Sequence, residues 1–386
     1  MASAQGGSTD VFTIAGVEVD ATADTAAAAR DRALAEGQKA ALGRLFDRIV
    51  LAADRNKLPE FKAGAIAELV RDFEVSREKR SSVRYLAVLR VRFKAHGIRA
   101  MLRGHDIAFA ETRSKPVLVL PVFEVAGAFS LWGDPNPWRD AWLALPPSDG
   151  LVPLVRPAGG GIRNAVLIGA EQAVRGADDR LAAIARHYAA ADVLVAVAGF
   201  RMGSAGGEGQ AAQAFLQVTL SRMGSALTEQ TRLESFALRA GESRAAAIRR
   251  AVSLIASQIQ EEWKRDNRLR FGVGKELTVI VPLTSLADWL AIKRRLAAVA
   301  FIQRSDLVYL SRKLARLRIN YIGDEEQLTL ALVQNDIILE RGPVSWILRR
   351  IREAPVGAEP GRLEVGGEET GGGRAAAPKP SLGGPP

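Results

Sequence analysis

Two short runs, VLVLPVFEV (Val117–Val125) and DVLVAVAGF (Asp192–Phe200), constrain this chain most, because they offer almost no polar face to water. A strand that is apolar at nearly every position has to be buried fully, which points to a sheet covered by other layers. Between the two runs lie a third candidate strand, GLVPLVRP (Gly150–Pro157), and helical stretches near Ala165–Val174 and Asp178–Tyr188. That order predicts a central α/β sheet layer over residues 113–268. Alternating strands at Ala214–Leu220 and Arg232–Leu238 continue it. A long helix, Glu242–Lys264, closes it, with Ala247, Ile248, Val252, Ile255, Ile259 and Trp263 at helical spacing.

Upstream, residues 10–112 read as an α+β unit. VFTIAGVEVDA (Val11–Ala21) is a strand, Thr22–Val50 is an Ala-rich helix with Leu34, Ala41, Leu45 and Ile49 on one face, and a shorter helix follows around Phe61–Phe73. In VRYLAVLRVRFK, Val83, Tyr85, Ala87, Leu89, Val91 and Phe93 take one side of a strand. Arg84, Arg90, Arg92 and Lys94 take the other, either as an anion-binding face or as the wet side of an antiparallel sheet.

Downstream, residues 275–351 hold strand Leu277–Val281, helix Ser285–Val299, strands Leu307–Leu310 and Leu314–Ile322, helix Asp324–Gln334, and strands Ile337–Leu339 and Ser345–Leu348. This is a ferredoxin-like βαββαβ order with an added terminal strand. Ser285 with Asp288 and Asp324 after Gly323 are placed to cap the two helices. The fold class expected is thus α+β and α/β multidomain. Residues 352–386, rich in Gly and Pro, are expected to be a disordered tail, and residues 1–9 a disordered remnant behind a signal-like segment.

Composition narrows the chemistry. With 386 residues and 48% hydrophobic content there is ample material for packed cores. The absence of cysteine excludes disulfides, cysteine-ligated zinc and thiol catalysis. No apolar run reaches the ~18 residues of a membrane helix. A net charge of +10 permits an anionic partner without selecting one, and the Lys and Arg residues are spread rather than blocked.

Catalytic signatures fail one by one. FGVGKEL (Phe271–Leu277) lacks the first glycine of a phosphate-binding loop and has Glu276 where a hydroxyl is needed. Gly159-Gly160-Gly161 reads either as an anion-holding loop or as a flexible connection. The three histidines, His96, His105 and His187, have no metal-pair spacing, and GSAG (Gly203–Gly206) is no nucleophile elbow. Asp134, Asp140, Asp324, Glu325 and Glu326 are the acids from which a carboxylate pair would come. The expectation is a non-enzymatic protein with no cofactor and no metal, built of packed modules with docking surfaces; a polar cleft of convergent ionisable groups would count against it.

The most unusual composition lies in SLWGDPNPWRDAWLAL (Ser130–Leu145), which holds three of six tryptophans. Asn136 and Pro137 begin a helix as N-cap and first residue. Trp138 and Trp142 then share a face on which they pack the helix against the VLVLPVF strand, each indole N–H finding a partner, while Arg139 points elsewhere. Trp132 precedes the helix in a loop. The candidate binding residues are therefore Trp132, Asp134, Asn136, Trp138 and Trp142, read as a recognition platform or as structural packing.

KPVLVLPVFE, LWGDPNPWRDAW, GLVPLVRP, DVLVAVAGF, EEWKRDN and LADWLAIKRRLAAV together resemble an uncharacterised proteobacterial family of secreted envelope proteins with an LWxDPNPW motif. The resemblance spans Val11–Arg350. The first unit also resembles the amino-terminal domain of flagellar assembly protein T, and the middle one is similar to the amino-terminal domain of TolB. These resemblances imply a periplasmic location, to which Ala2-Ser3-Ala4, similar to the end of a secretory signal, adds. They imply binding to another envelope protein or to a cell-wall polymer. Two rival readings stand beside this one: a cytoplasmic nucleic-acid binder using the basic surface, against which ARLRINYI offers only Tyr321 for stacking, and a hydrolase.

Overall fold

The computed structural model describes residues 10–159, 161–203, 213–224, 230–268, 274–299, 301–342 and 345–351. The first three residues of FGVGKEL, the GSAG segment beyond Gly203, Gly160 and both terminal segments lie outside the described residues. The chain is mixed α+β, with three sheets.

The first sheet is built by β1 (Thr13–Thr22), β2 (Val70–Arg80) and β3 (Arg84–Phe93), in the order β1-β3-β2 and antiparallel throughout. Helix α1 (Ala26–Ile49) is capped by Thr25, whose hydroxyl accepts from Ala28 N at 3.1 Å. It lays Ala33, Ala41, Leu45 and Ile49 on the sheet. After it come a 3₁₀ helix (Ala52–Lys57), α2 (Ala63–Leu69) and, beyond β3, α3 (Ala95–Gly104). Strand β3 alternates as the sequence implies, and two of its outward arginines meet acids: Arg84 donates to Asp20 and Arg92 to Glu74 at 2.9 Å, with Asp72 also on Arg92. The wet face is thus an ion-paired one.

The central sheet contains β4 (Val117–Val125), β5 (Ala128–Ser130), β6 (Leu154–Val155), β7 (Asp192–Met202), β8 (Ala214–Gly224) and β9 (Gln230–Ala237). Its order is β5-β4-β7-β8-β9, with β6 paired to β4. β4 and β7 run parallel, from Val117↔Asp192 to Glu124↔Gly199. Their all-apolar sequences follow from helices on both faces. On one face Val117, Val119, Leu194 and Ala196 pack with α4 (Pro137–Ala144) and α8 (Arg244–Asp266); on the other Leu118, Leu120, Val193 and Val195 pack with α6 (Ala170–Val174) and α7 (Asp178–His187). Between α4 and α6 lies the single-turn α5 (Ile162–Leu167), so the stretch read as one helix breaks at Ile168-Gly169.

The third sheet is formed by β10 (Lys275–Pro282), β11 (Ile302–Leu310), β12 (Leu314–Tyr321), β13 (Ile337–Arg341) and β14 (Trp346–Arg350), with α9 (Leu286–Ala298) and α10 (Glu325–Gln334). Its order is β11-β12-β10-β14-β13. The last strand inserts between β10, to which it is parallel, and β13, to which it is antiparallel. Ser285 caps α9 and Asp324 caps α10, the latter in a reciprocal box with Gln327. Buried residues of the first and third sheets form one continuous cluster, so the cores do not follow the three segments.

Candidate functional site

The tryptophan stretch is the starting point. The Asn136 carbonyl oxygen Oδ1 accepts from Arg139 N at 2.9 Å, and its Nδ2 faces the carbonyls of Pro121, Ser130 and Leu131 at 3.2–3.3 Å. This single amide both starts α4 and ties it to β4. Trp138 and Trp142 pack edge to face with centroids 6.0 Å apart, and both are 0% exposed. Trp138 Nε1 donates to Ala196 O at 2.9 Å. Trp142 Nε1 has no partner among the described residues, which corrects the expectation that both indoles would be satisfied.

Three of the five candidate binding residues, Asn136, Trp138 and Trp142, are therefore closed to any ligand in this structure. Trp132 is half-buried against the opposite face of the sheet, and its Nε1 already donates to Ile168 O at 2.7 Å. Asp134 is exposed but paired with Arg139.

Arg139 points away from the two indoles, as the spacing implies, and is buried. Its side chain turns back under the loop, donates to Trp132 O at 3.0 Å and Gly133 O at 3.3 Å, and holds both Asp134 and Asp140. Gly159, at φ +81°, leaves room for this guanidinium: a Cβ there would come within 2.7 Å of Arg139 Nη1. What the glycine accommodates is a cation. Nothing in the sequence spacing around Arg139 marks it as buried.

The other sequence candidates disperse. Asp324 is spent on its cap with Glu325 and Glu326 in the first turn of α10. His187 packs on Tyr188 at 4.9 Å.

What α4 does position is a groove. Arg156 Nη1 donates to Trp142 O at 3.0 Å and Leu145 O at 2.7 Å, ending the helix where Pro146 and Pro147 turn the chain outward. The loop that follows is fastened to α8 by Gln260, whose amide donates to Val152 O at 2.7 Å and accepts from Val152 N at 3.0 Å. A Cβ at Gly150 would fall 2.3 Å from Gln260 Oε1, so a side chain there would displace this amide. One stripe of α8, Ser253, Ala256, Ser257 and Gln260, then forms a floor, and two adjoining cavities open along it.

The larger, 600 Å³, is lined by Leu145, Pro146, Pro153, Leu154 and Arg156 beside that stripe. The other, 410 Å³, is lined by Arg44, Asp47, Arg48, Arg55, Asp149, Glu261 and Lys264 among others. Pro147, Ser148, Ser257 and Gln260 line both. Their volumes lie in the range of binding pockets.

The charged end sits at the junction of α1, the 3₁₀ helix and α8. Lys264 is 1% exposed. Its Nζ donates to Asp47 O at 3.0 Å and Val50 O at 2.9 Å and pairs with Glu261 at 2.6 Å, so it caps the carbonyl end of α1 from another part of the chain. Glu261 in turn accepts from Ala52 N at 3.0 Å, at the start of the 3₁₀ helix. Arg44 reaches Ala15 O and Gly16 O at 3.0 and 3.1 Å and holds Asp149; Arg48 reaches Thr13 O at 2.9 Å and also Val11 O.

Burial pushes the Arg48 guanidinium down to about 10, opposed by Asp149, and lowers the Lys264 ammonium, opposed by Glu261. Both remain cations: Arg48 by that value, Lys264 because three acceptors need three N–H donors. The expectation that ionisable groups would not converge fails here, since the sequence holds Arg44 and Arg48 far from Asp149, and all three far from Lys264.

No family model, curated protein or solved structure matches the chain. The resemblances drawn from its motifs gain no support from those comparisons.

Proposed function

We propose that the chain is a non-enzymatic binding protein that holds an extended polypeptide segment in the groove beside α8. The observation that carries this reading is that the two cavities adjoin, sharing Pro147, Ser148, Ser257 and Gln260, with one walled by proline and leucine and the other by ionic groups of both signs. A floor of small side chains admits a backbone closely, and proline and leucine walls supply apolar contact. A charged end sets direction. Binding is favoured over catalysis because each acid of the charged cavity is paired with a cation, Asp47 with Arg55, Asp149 with Arg44 and Glu261 with Lys264, and because Arg48 and Lys264 serve as cations, with neither acting as a base near neutral pH.

The envelope setting, with an envelope protein as partner, rests on the motif resemblance and on Ala2-Ser3-Ala4. On its element order the third sheet is a ferredoxin-like unit with β14 inserted, and on the resemblance the central sheet is a TolB-like layer. Fractionation of cells that make the native gene product tests the compartment.

Ser257 is exposed and lines both cavities. Ser257→Trp therefore fills the groove without entering a core. With a fluorescein-labelled hexapeptide of alternating proline and leucine as probe, the unaltered protein is expected to bind saturably, and Ser257→Trp to weaken binding at least tenfold, ~1.4 kcal/mol. Equal binding by both proteins, or none by either, overturns the reading.

A further inference from the structure

The charged end of the groove contains a donor pair that its neighbours leave poorly served. Arg48 is buried, with a side chain only 8% exposed, and lines the cavity. Its Nη1 is taken up by backbone carbonyls. On the remaining edge, Nε has no partner among the described residues, and Nη2 meets Asp149 Oδ1 only at 3.5 Å. Asp149 is drawn the other way by Arg44, whose Nε donates to Asp149 Oδ2 at 3.0 Å and whose Nη2 also holds it. A buried guanidinium that keeps two N–H groups so weakly engaged is costly, and a planar edge of two parallel N–H groups is the geometry that matches a carboxylate.

We propose that this edge of Arg48 receives the terminal carboxylate of the bound peptide, in place of Asp149 Oδ1, while Asp149 stays on Arg44. The proposal rests on the groove reading above and specifies what enters it: an extended segment that ends at the charged cavity, its apolar residues lying along Pro146, Pro147, Pro153 and Leu154. Both the occupant and the edge are defined by charge complementarity. Asp149 is the internal carboxylate that shows where an external one fits, and it competes for the same donors. The remaining cations of the cavity are committed elsewhere, Arg55 to Asp47 at 2.7 Å and Lys264 to Glu261. A carboxylate is favoured over a larger, doubly charged phosphate because Asp149 already seats one carboxylate between the two arginines.

The test compares the hexapeptide with a free carboxylate end against the same peptide amidated, by fluorescence anisotropy on the full chain. The acid is expected to bind at least tenfold more tightly than the amide. Asp149→Asn, which removes the competing charge and keeps the size, is expected to tighten the acid severalfold and leave the amide unchanged. Arg48→Lys, which keeps a charge but has no planar edge, is expected to abolish the difference between acid and amide.

Equal binding of acid and amide by the unaltered protein overturns this proposal and leaves the groove reading standing; binding of neither overturns both. A loss of acid affinity in Asp149→Asn also overturns it, and this variant serves if Arg48→Lys does not fold. Inorganic phosphate added at millimolar concentration is expected not to displace the acid peptide, and full displacement would assign the edge to phosphate instead.

Discussion

Lys264 and Arg139, like Arg48, are buried cations whose partners come from distant or irregular backbone, and each acts as a fastener. Lys264 gives its three donors to Asp47 O, Val50 O and Glu261, so removing it strands acceptors in a closed site. Lys264→Met is expected to cost roughly 3 kcal/mol in urea unfolding. The pH dependence has a definite sign: the folded chain holds this proton less tightly than the unfolded one, so the wild type gains stability as pH rises through the window below 10.5. Lys264→Met is expected to lack that gain. At Gly159 the positive φ and the Arg139 guanidinium both oppose a side chain. Gly159→Ala is expected to lose about 1–2 kcal/mol, read as a lower Tm. Neither role was legible in the sequence, since a lysine in a helix and an arginine beside an N-cap read by default as solvated.

Helix α8 is the element on which the groove depends, and it presents two stripes with different legibility. The buried stripe, from Ala247 to Trp263, follows from helical spacing, because large apolar residues at that period have one explanation. The floor stripe is small and polar, and nothing distinguishes it from a wet face until the loop at residues 145–150 is laid beside it. Its start is pinned by Glu242, which accepts from Arg250 Nε at 2.8 Å and Nη2 at 2.7 Å and from Arg239 N at 3.0 Å. Arg250 is the first cause, and the carboxyl is held down to about 2. A depressed carboxylate contributes above its unfolded pKa and loses that contribution as pH falls through the folded value. Glu242→Gln is accordingly expected to lower Tm at pH 7, with the gap from wild type closing as pH falls from about 4.5 towards about 2.

Other elements show the same divide: β4 and β7 were legible because burial on both faces leaves no polar position. Strand β2, VRDFEVSREKR, was not, because it is an edge strand with charges on both faces.

In the whole molecule the order of sheets was legible, and the way they join was not. Local periodicity reports which face of an element is dry, whereas the shared core of the first and third sheets and the ionic junction of α1 with α8 depend on residues hundreds of positions apart. The tryptophan stretch illustrates the consequence. Its composition attracts a ligand-binding reading, yet Trp138 and Trp142 are spent on the core and Trp132 on Ile168 O. What that stretch contributes is a rigid α4 whose end aims Pro146 and Pro147 at α8. No helix among the described residues is long and apolar enough to cross a membrane.

The measurement that separates the groove from every other surface is amide hydrogen exchange of the full chain with and without the free-carboxylate hexapeptide. Protection is expected to concentrate in the loop at residues 145–150 and in the 3₁₀ helix Ala52–Lys57, with the loop at residues 130–136 unchanged. Protection confined to residues 130–136, or spread evenly over the chain, would contradict a binding groove beside α8.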